Sequence, residues 1–126
     1  MERSGAVAGK RILVAEDETL IAMVVEDMLT ELGYELAGSA HSVQGAMQVI
    51  SGGEAINAAI LDIELSDGVS WPIAAALQQG NVPFAFSSGH GADAKIDTRF
   101  ANAPVLDKPF DTAALGEVLH QLLNAG

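Results

Sequence analysis

The sequence predicts an α/β fold in which helices cover both faces of a five-stranded parallel sheet. Five short apolar runs alternate with segments whose apolar residues recur at helical spacing, which indicates parallel strands joined by crossover helices. The run Ile12-Leu13-Val14-Ala15 is apolar at successive positions, as is typical of a strand buried on both faces. The length of 126 residues and the 49% hydrophobic content suit one domain with a core. We expect a flexible tail over residues 1–9 and the domain over residues 10–126.

Composition excludes several kinds of site, partner and location. The chain has no cysteine, so disulfides, thiolate metal sites and a cysteine nucleophile are excluded. A net charge of −11 gives no general attraction to phosphates, so no nucleic acid partner is expected. No apolar run approaches the roughly 20 residues of a membrane span, and the N-terminus lacks the apolar core of a signal peptide. We therefore expect a cytoplasmic protein without a membrane partner.

The first half of the chain contains two strand–helix units. The strand Lys10 to Ala15 precedes a helix whose apolar face stops at Gly33, a favourable C-terminal residue for a helix. A second strand runs from Tyr34 to Ser39. Ser42 suits the N-cap of the next helix, because its hydroxyl accepts from a free N–H group of the first turn, and Gly52-Gly53 ends that helix.

The second half adds three strands, a turn and three helices. The stretch 92–103 has poor periodicity and few large apolar residues, so we expect a short or mobile helix there. In the helix that precedes this stretch, Pro72 fits the first turn. The other features, in chain order, are a third strand from Ala58 to Ile63, the turn Ser66-Asp67-Gly68, a fourth strand from Pro83 to Ser87, a fifth strand at Val105-Leu106 and a last helix capped by Asp111 or Thr112.

Polar side chains stand at the carboxyl ends of four of these strands. Parallel strands present their carboxyl ends at one edge of the sheet, where sheets with helices on both faces form their binding sites. The polar groups expected to converge there are Glu16, Asp17, Asp62, Ser88 and Lys108.

The converging side chains suit the binding of Mg²⁺ and of a phosphoryl group. Crowded carboxylates repel one another, so Glu16, Asp17 and Asp62 need a cation to stay ionised together. Oxygen ligands without histidine or cysteine nearby in sequence select a hard ion such as Mg²⁺. Lys108 adds a compact positive charge and Ser88 a hydroxyl donor, both suited to phosphoryl oxygens. A carboxylate can also be a nucleophile that forms an acyl phosphate, and Asp62 is best placed for this at the end of the central strand.

Four short stretches, in this order and at this spacing, resemble the signature of response regulator receiver domains. They are Glu16-Asp17, Leu61-Asp62, Ser88-Gly89 and Lys108-Pro109-Phe110, and the resemblance extends roughly from Lys10 to Asn124. The resemblance implies a CheY-like, flavodoxin-like (βα)5 fold with strand order 2-1-3-4-5. It also implies a Mg²⁺-dependent phosphoacceptor of a two-component pathway or phosphorelay, which receives its phosphoryl group from a histidine kinase or a histidine phosphotransfer protein.

The same resemblance implies a role for each site residue. Asp62 is the implied phosphoacceptor, Ser88 the switch residue that hydrogen-bonds the phosphoryl oxygen, and Lys108 the positive partner of the phosphoryl group. The peptide bond between Lys108 and Pro109 is typically cis in the family. The implied Mg²⁺ ligands are Glu16 (directly or through water), Asp17, Asp62 and the backbone carbonyl of Glu64.

A narrower resemblance covers the fourth strand and the loop after it. The stretch Pro83 to Gly91 is similar to the Phe-Ala-Thr-Gly-Tyr stretch of an alphaproteobacterial receiver subgroup, many of whose members are single-domain regulators. Here Ser88 replaces the threonine and His90 the tyrosine. The resemblance implies that Glu64 and His90 tune the access of hydrolytic water to the phosphoryl group. Most receivers carry a switch tyrosine or phenylalanine at the position of Val105, so the chain lacks that aromatic residue.

We expect a stand-alone receiver that is not an enzyme, apart from slow autodephosphorylation, and that acts through protein contacts or as a relay or phosphate sink. A receiver cut from a hybrid kinase or a larger regulator is an open alternative. A small phosphatase of the haloacid dehalogenase type is another, but it needs an Asp-x-Asp pattern on the first strand, whereas Asp62-Ile63-Glu64 starts on the third. A pseudo-receiver that binds partners without phosphorylation is disfavoured by the intact acidic pair, Asp62 and Lys108.

Overall fold

A computed structural model describes residues 9–90 and 94–124. The predicted tail lies outside these ranges except for Gly9, as does Gly91 of the predicted loop after the fourth strand. Along the chain the elements are β1 (Arg11–Ala15), α1 (Thr19–Leu32), β2 (Glu35–Ala40), α2 (Val43–Ser51), β3 (Ala58–Asp62), β4 (Glu64–Leu65), β5 (Gly68–Val69), α3 (Trp71–Gln79), β6 (Phe84–Ser88), β7 (Val105–Asp107) and α4 (Thr112–Asn124).

The main sheet has five parallel strands in the order β2-β1-β3-β6-β7. This confirms the predicted order 2-1-3-4-5. Strands β4 and β5 form a separate antiparallel hairpin, so β6 and β7 are the fourth and fifth strands of the main sheet. Strand β3 is central, pairs with β1 and β6, and ends at Asp62. The topology thus places Asp62 between the carboxyl ends of two neighbouring strands.

Two apolar cores cover the two faces of the sheet. Ile12 and Val14 of β1 join the core formed with α1 and α4, whereas Leu13 and Ala15 join the core formed with α2 and α3. Because successive side chains of a strand point to opposite faces, a strand between two helical layers must be apolar throughout. Burial of both faces therefore explains why β1 is apolar at successive positions in the sequence.

The helix boundaries follow the predicted capping residues. The Ser42 hydroxyl accepts from the N–H of Gly45 at 2.9 Å, and an Asp111 carboxylate oxygen accepts from the N–H of Ala114 at 2.8 Å. Gly33 ends α1 with φ of 93°, a left-handed conformation that favours glycine. Pro72 lies in the first turn of α3, as predicted.

Four aromatic rings pack together where α3 meets β6. Phe86 is fully buried, and its ring centre lies 5.4 Å from that of Trp71 and 5.5 Å from that of Phe84, both in edge-to-face geometry. Phe100 completes the cluster, with its ring centre 6.0 Å from that of Trp71. The cluster joins the strand that ends at Ser88 to helix α3.

The prediction of a fifth helix is only partly right. In the part of residues 92–103 that the structure describes, the helical element is a single 3₁₀ turn, Thr98–Phe100, so the described chain has four α-helices. The Asp97 carboxylate accepts from the N–H of Arg99 at 2.9 Å and starts the turn. The stretch offers only Ile96 and Phe100 as large apolar residues, too few for the apolar face of an α-helix. None of the helices within residues 9–90 and 94–124 has both the length and the apolar character of a membrane span.

The tip of the β4–β5 hairpin caps helix α2 from outside. The two Asp67 carboxylate oxygens accept from the N–H groups of Val43 at 2.6 Å and Gln44 at 3.1 Å. These hydrogen bonds stabilise the charged carboxylate and hold the pKa of Asp67 below its usual value.

This contact predicts a pH dependence of stability. The stability that it contributes should be complete above pH 3.8, the usual pKa, and should be lost as the pH falls through the lower pKa of folded Asp67. We expect urea unfolding to show wild type more stable than Asp67→Asn above pH 3.8, with a difference that shrinks in more acidic buffer. A difference that does not change with pH would contradict the assignment.

Candidate functional site

The structure places all five predicted side chains at the carboxyl edge of the sheet. Glu16 directly follows β1, Asp62 and Ser88 are the last residues of β3 and β6, and Lys108 directly follows β7. Glu16 and Ser88 are each only 3% exposed, whereas Asp17 faces solvent. The site therefore combines buried groups fixed by the sheet with one open acidic side chain.

Three carboxylates form a compact acidic cluster. Glu16, Asp17 and Asp62 each offer one oxygen, and these oxygens lie within 4.8 Å of one another. A Glu16 carboxylate oxygen, Oε2, accepts from the N–H of Glu18 at 3.1 Å, which orients the carboxylate. An oxygen-only donor set with an exposed member fits Mg²⁺, because this ion prefers oxygen ligands and keeps several of its waters.

Lys108 bridges two of the acids. Its Nζ lies 2.7 Å from a Glu16 oxygen and 3.1 Å from an Asp62 oxygen, and its side chain is 17% exposed. Burial of the amine disfavours its charge, but the hydrogen bonds and charges of Glu16 and Asp62 outweigh this effect and raise the pKa of Lys108. The amine therefore stays charged and offsets part of the repulsion within the cluster.

Ser88 is held by the backbone at the start of the next loop. Its hydroxyl oxygen accepts from the N–H of His90 at 3.0 Å, and its carbonyl accepts from the N–H of Lys108 at 2.8 Å. The second bond ties the end of β6 to the residue that follows β7. Ser88 and Lys108 are thus positioned relative to each other by the backbone.

A cavity of about 540 Å³ opens at this edge of the sheet. Asp17, Asp62, Ser88 and Lys108 line it, so four of the five predicted residues face one space, while the buried Glu16 is not part of its lining. The positions predicted to tune hydrolysis, Glu64 and His90, line the same cavity and are exposed. The cavity has room for a phosphoryl group and ordered water beside Asp62.

One cation that lines this cavity was not predicted from the sequence. Lys95 lines it from the stretch before the 3₁₀ turn and has no ion-pair partner within the described ranges. The available signal was the scarcity of cations, since the chain has only 6 lysines and arginines. Lys95 does not follow a predicted strand, so no sequence pattern indicated its position at the site.

Two further predicted features are present beside the site. The peptide bond between Lys108 and Pro109 is cis, as the family resemblance implies. Val105 lies on the edge strand β7 and is 36% exposed, with no aromatic ring at this position.

The chain is similar in sequence and in structure to response regulator receiver domains. No protein-family model matches the chain. It is 41% identical to SdrG from Sphingomonas melonis, covering 95% of this chain and 99% of that one with a TM-score of 0.80. A structure of SdrG in its BeF₃-activated conformation matches with a TM-score of 0.77 at 42% identity, covering 92% of this chain and 98% of that one. A response regulator receiver protein from Sinorhizobium medicae matches at 29% identity, over 93% of this chain and 96% of that one, with a TM-score of 0.79.

A curated relative is longer than this chain. The regulator PhyR of Methylorubrum extorquens is 32% identical over 114 residues, which are 89% of this chain and 43% of PhyR. The chain therefore spans less than half the length of that relative. The match to SdrG extends over nearly the whole of both proteins, and the shared fold is that of the receiver structures. This chain belongs to the response regulator receiver family.

Proposed function

We propose that this receiver is the Mg²⁺-dependent phosphoacceptor of a two-component pathway, with Asp62 taking a phosphoryl group from a histidine kinase or a histidine phosphotransfer protein. The observation that carries the proposal is the position of the Asp62 carboxylate, 3.1 Å from the Lys108 amine and inside the acidic cluster. The activation of SdrG with BeF₃ supports the same chemistry. The signal leaves through a protein contact, or the domain serves as a relay or phosphate sink.

The transfer is a displacement at phosphorus. An Asp62 carboxylate oxygen forms a bond to the phosphorus of a phosphohistidine, the P–N bond breaks, and its electron pair stays on the imidazole nitrogen. The residues that would hold Mg²⁺ are Glu16, Asp17, Asp62 and the backbone carbonyl of Glu64. Mg²⁺ held by these residues would neutralise charge on the phosphoryl oxygens. Lys108 exchanges its contact with Asp62 for a phosphoryl oxygen and holds the product in place.

Ser88 and its loop respond to the new group. In the structure the Ser88 hydroxyl accepts from the N–H of His90. In the phosphorylated state it donates to a phosphoryl oxygen, which biases the loop that begins at Gly89 toward a second arrangement. Because Val105 offers no ring to follow this movement, the loop itself presents the change to a partner.

The kinase approaches over helix α1. Leu20, Met23 and Val24 are 77%, 54% and 51% exposed, an unusual exposure for large apolar side chains. Leu20 and Val24 line an apolar groove of about 460 Å³ together with Phe110 and Lys108. Lys108 also lines the phosphoacceptor cavity, so the groove and the cavity adjoin. A protein that brings a phosphohistidine to Asp62 must cover this surface, and we place its apolar helices in the groove.

This docking surface predicts a selective loss of transfer in Val24→Glu. A charge at the centre of an apolar contact should cost about 2 kcal/mol or more, which slows transfer about 30-fold. For the measurement, a panel of purified, autophosphorylated histidine kinases is first screened for the one that labels the wild type fastest. Phosphoryl transfer from that kinase to each variant is then timed. Labelling by acetyl phosphate needs no docking and should be unchanged, and Gln121→Glu on α4 is the matched control. Equal slowing with both donors would contradict the assignment.

We expect Glu64 and His90 to set the lifetime of the phosphorylated state. Both line the cavity, and their side chains would restrict the access of water to the phosphoryl group on Asp62. Replacing both by alanine should therefore raise the dephosphorylation rate by about 10-fold, equivalent to about 1.4 kcal/mol in the barrier. The control replaces the exposed pair Glu117 and His120 on α4. An unchanged rate in the Glu64/His90 variant would contradict the tuning role.

Labelling of the wild-type chain with acetyl phosphate tests the proposed function as a whole. We expect acid-stable, base-labile phosphate that appears with Mg²⁺ and is absent when the metal is chelated. Rapid turnover of varied phosphate esters would instead favour a phosphatase. Absence of labelling with both acetyl phosphate and the kinase panel would favour a receiver that works without phosphorylation.

A further inference from the structure

The loop between β3 and α3 is a closed hairpin with a fixed base. The N–H of Ser70 donates to the carbonyl of Ile63 at 2.8 Å and closes the base. Leu65 is 7% exposed and anchors one strand in the core, while its neighbour Glu64 faces the phosphoacceptor cavity. The orientation of Glu64 therefore depends on how firmly this short hairpin is held.

The hairpin tip is tied to another part of the fold. Asp67 accepts from the N–H groups of Val43 and Gln44, which are free donors in the first turn of α2. The neighbouring Ser66 hydroxyl donates to the carbonyl of His41 at 3.2 Å. The carboxylate is well suited to this position, because it satisfies two donors at the positive end of the helix.

The segment that receives the hairpin also touches the other half of the acidic site. The Nδ1 atom of His41 hydrogen-bonds the carbonyl of Glu16 at 2.9 Å, and the N–H of Glu16 donates to the carbonyl of Ala40 at 2.9 Å. The residues between β2 and α2 thus contact the backbone of Glu16 on one side and the hairpin of Glu64 on the other. This segment therefore links the position of the Glu16 backbone to the position of the hairpin that carries Glu64.

We propose that Asp67 is a positioning residue for the metal site, which holds the hairpin against α2 so that the backbone carbonyl of Glu64 stays in place as a ligand. This inference rests on the proposed function, because it assumes that Mg²⁺ binds there. Groups that orient metal ligands commonly change affinity by about 10-fold or more when they are removed. Asp67 acts through the backbone and does not contact the reacting atoms.

Two variants separate positioning from simple helix capping. Asp67→Ala removes the tie between the hairpin and α2. Ser42→Ala is the matched control, because Ser42 caps the same helix through Gly45 but makes no hydrogen bond to the hairpin. The measurements are the Mg²⁺ dissociation constant by titration calorimetry, amide hydrogen exchange of the hairpin without metal, and the urea midpoint.

We expect Asp67→Ala to raise the Mg²⁺ dissociation constant about 10-fold and to speed exchange of the hairpin amides. Ser42→Ala should lower the urea midpoint but leave both of these unchanged. If Asp67→Ala does not fold, Asp67→Asn keeps one oxygen acceptor and should show an intermediate dissociation constant. Wild-type affinity in the Asp67 variants, or equal losses in Ser42→Ala, would overturn the inference while leaving the proposed function intact. Absence of Mg²⁺ binding by the wild type would overturn both.

Discussion

Asp62→Asn is expected to incorporate no phosphate from acetyl phosphate or from the kinase. The detection limit for the acyl phosphate makes this a measurable loss of at least about 1,000-fold in labelling, equivalent to about 4 kcal/mol. The amide is not a nucleophile for this displacement and forms no acyl phosphate. Its oxygen still accepts a hydrogen bond from Lys108, so the variant should fold. The measurement is base-labile phosphate by intact-protein mass spectrometry with Mg²⁺ present.

Asp107→Asn is the matched control for this loss. Asp107 is also the last residue of a parallel strand, but it is exposed and lies outside the acidic cluster. Its variant should be labelled like the wild type. Residual base-labile phosphate on Asp62→Asn would move the phosphoacceptor to another side chain, and peptide mapping would then identify it.

Lys108→Met is expected to destabilise the protein in the absence of Mg²⁺ by about 2 kcal/mol. Hydrogen bonds to charged groups are strong, and the variant leaves the carboxylates of Glu16 and Asp62 without the cation that pairs with them. Mg²⁺ should recover most of this loss, since the ion neutralises the same carboxylates. Labelling by acetyl phosphate should nevertheless fall about 100-fold, as expected when one charged donor to the transferring group is removed. Urea unfolding with and without Mg²⁺ measures the first two effects.

Lys95→Met supplies the control for Lys108. Lys95 lines the same cavity but has no ion-pair partner in the described part of the chain, so its removal should leave stability within about 0.5 kcal/mol of wild type. A Lys108 variant whose stability loss persists unchanged in Mg²⁺ would show that packing of the lysine stem matters more than neutralisation of the acids.

The sequence predicted the site better than the loops around it. Glu16, Asp62, Ser88 and Lys108 could be placed because each ends or follows an apolar strand, and parallel strands bring such residues to one edge. The order of the strands came from the family resemblance rather than from periodicity. These predictions rest on patterns that repeat along the chain.

The features that were missed depend on contacts between distant segments. The cap that Asp67 places on α2 joins residues 24 and 23 positions apart, and no local pattern indicates it. The 3₁₀ turn at residues 98–100 is a different case, because the poor periodicity of this stretch already predicted a short helix. Periodicity alone did not distinguish a 3₁₀ turn from a short α-helix. Lys95 reaches the cavity through this irregular segment.

The aromatic cluster beneath Ser88 gives the chain an optical reporter of its own state. Trp71 is the one tryptophan of the sequence, and its ring meets Phe86, which lies on the strand that ends at the switch residue. A movement of that strand end changes the surroundings of a single indole, so its emission belongs to one known position. Stopped-flow fluorescence of the unlabelled protein can therefore time the movement of this strand end after a phosphodonor is added, without the introduction of a dye.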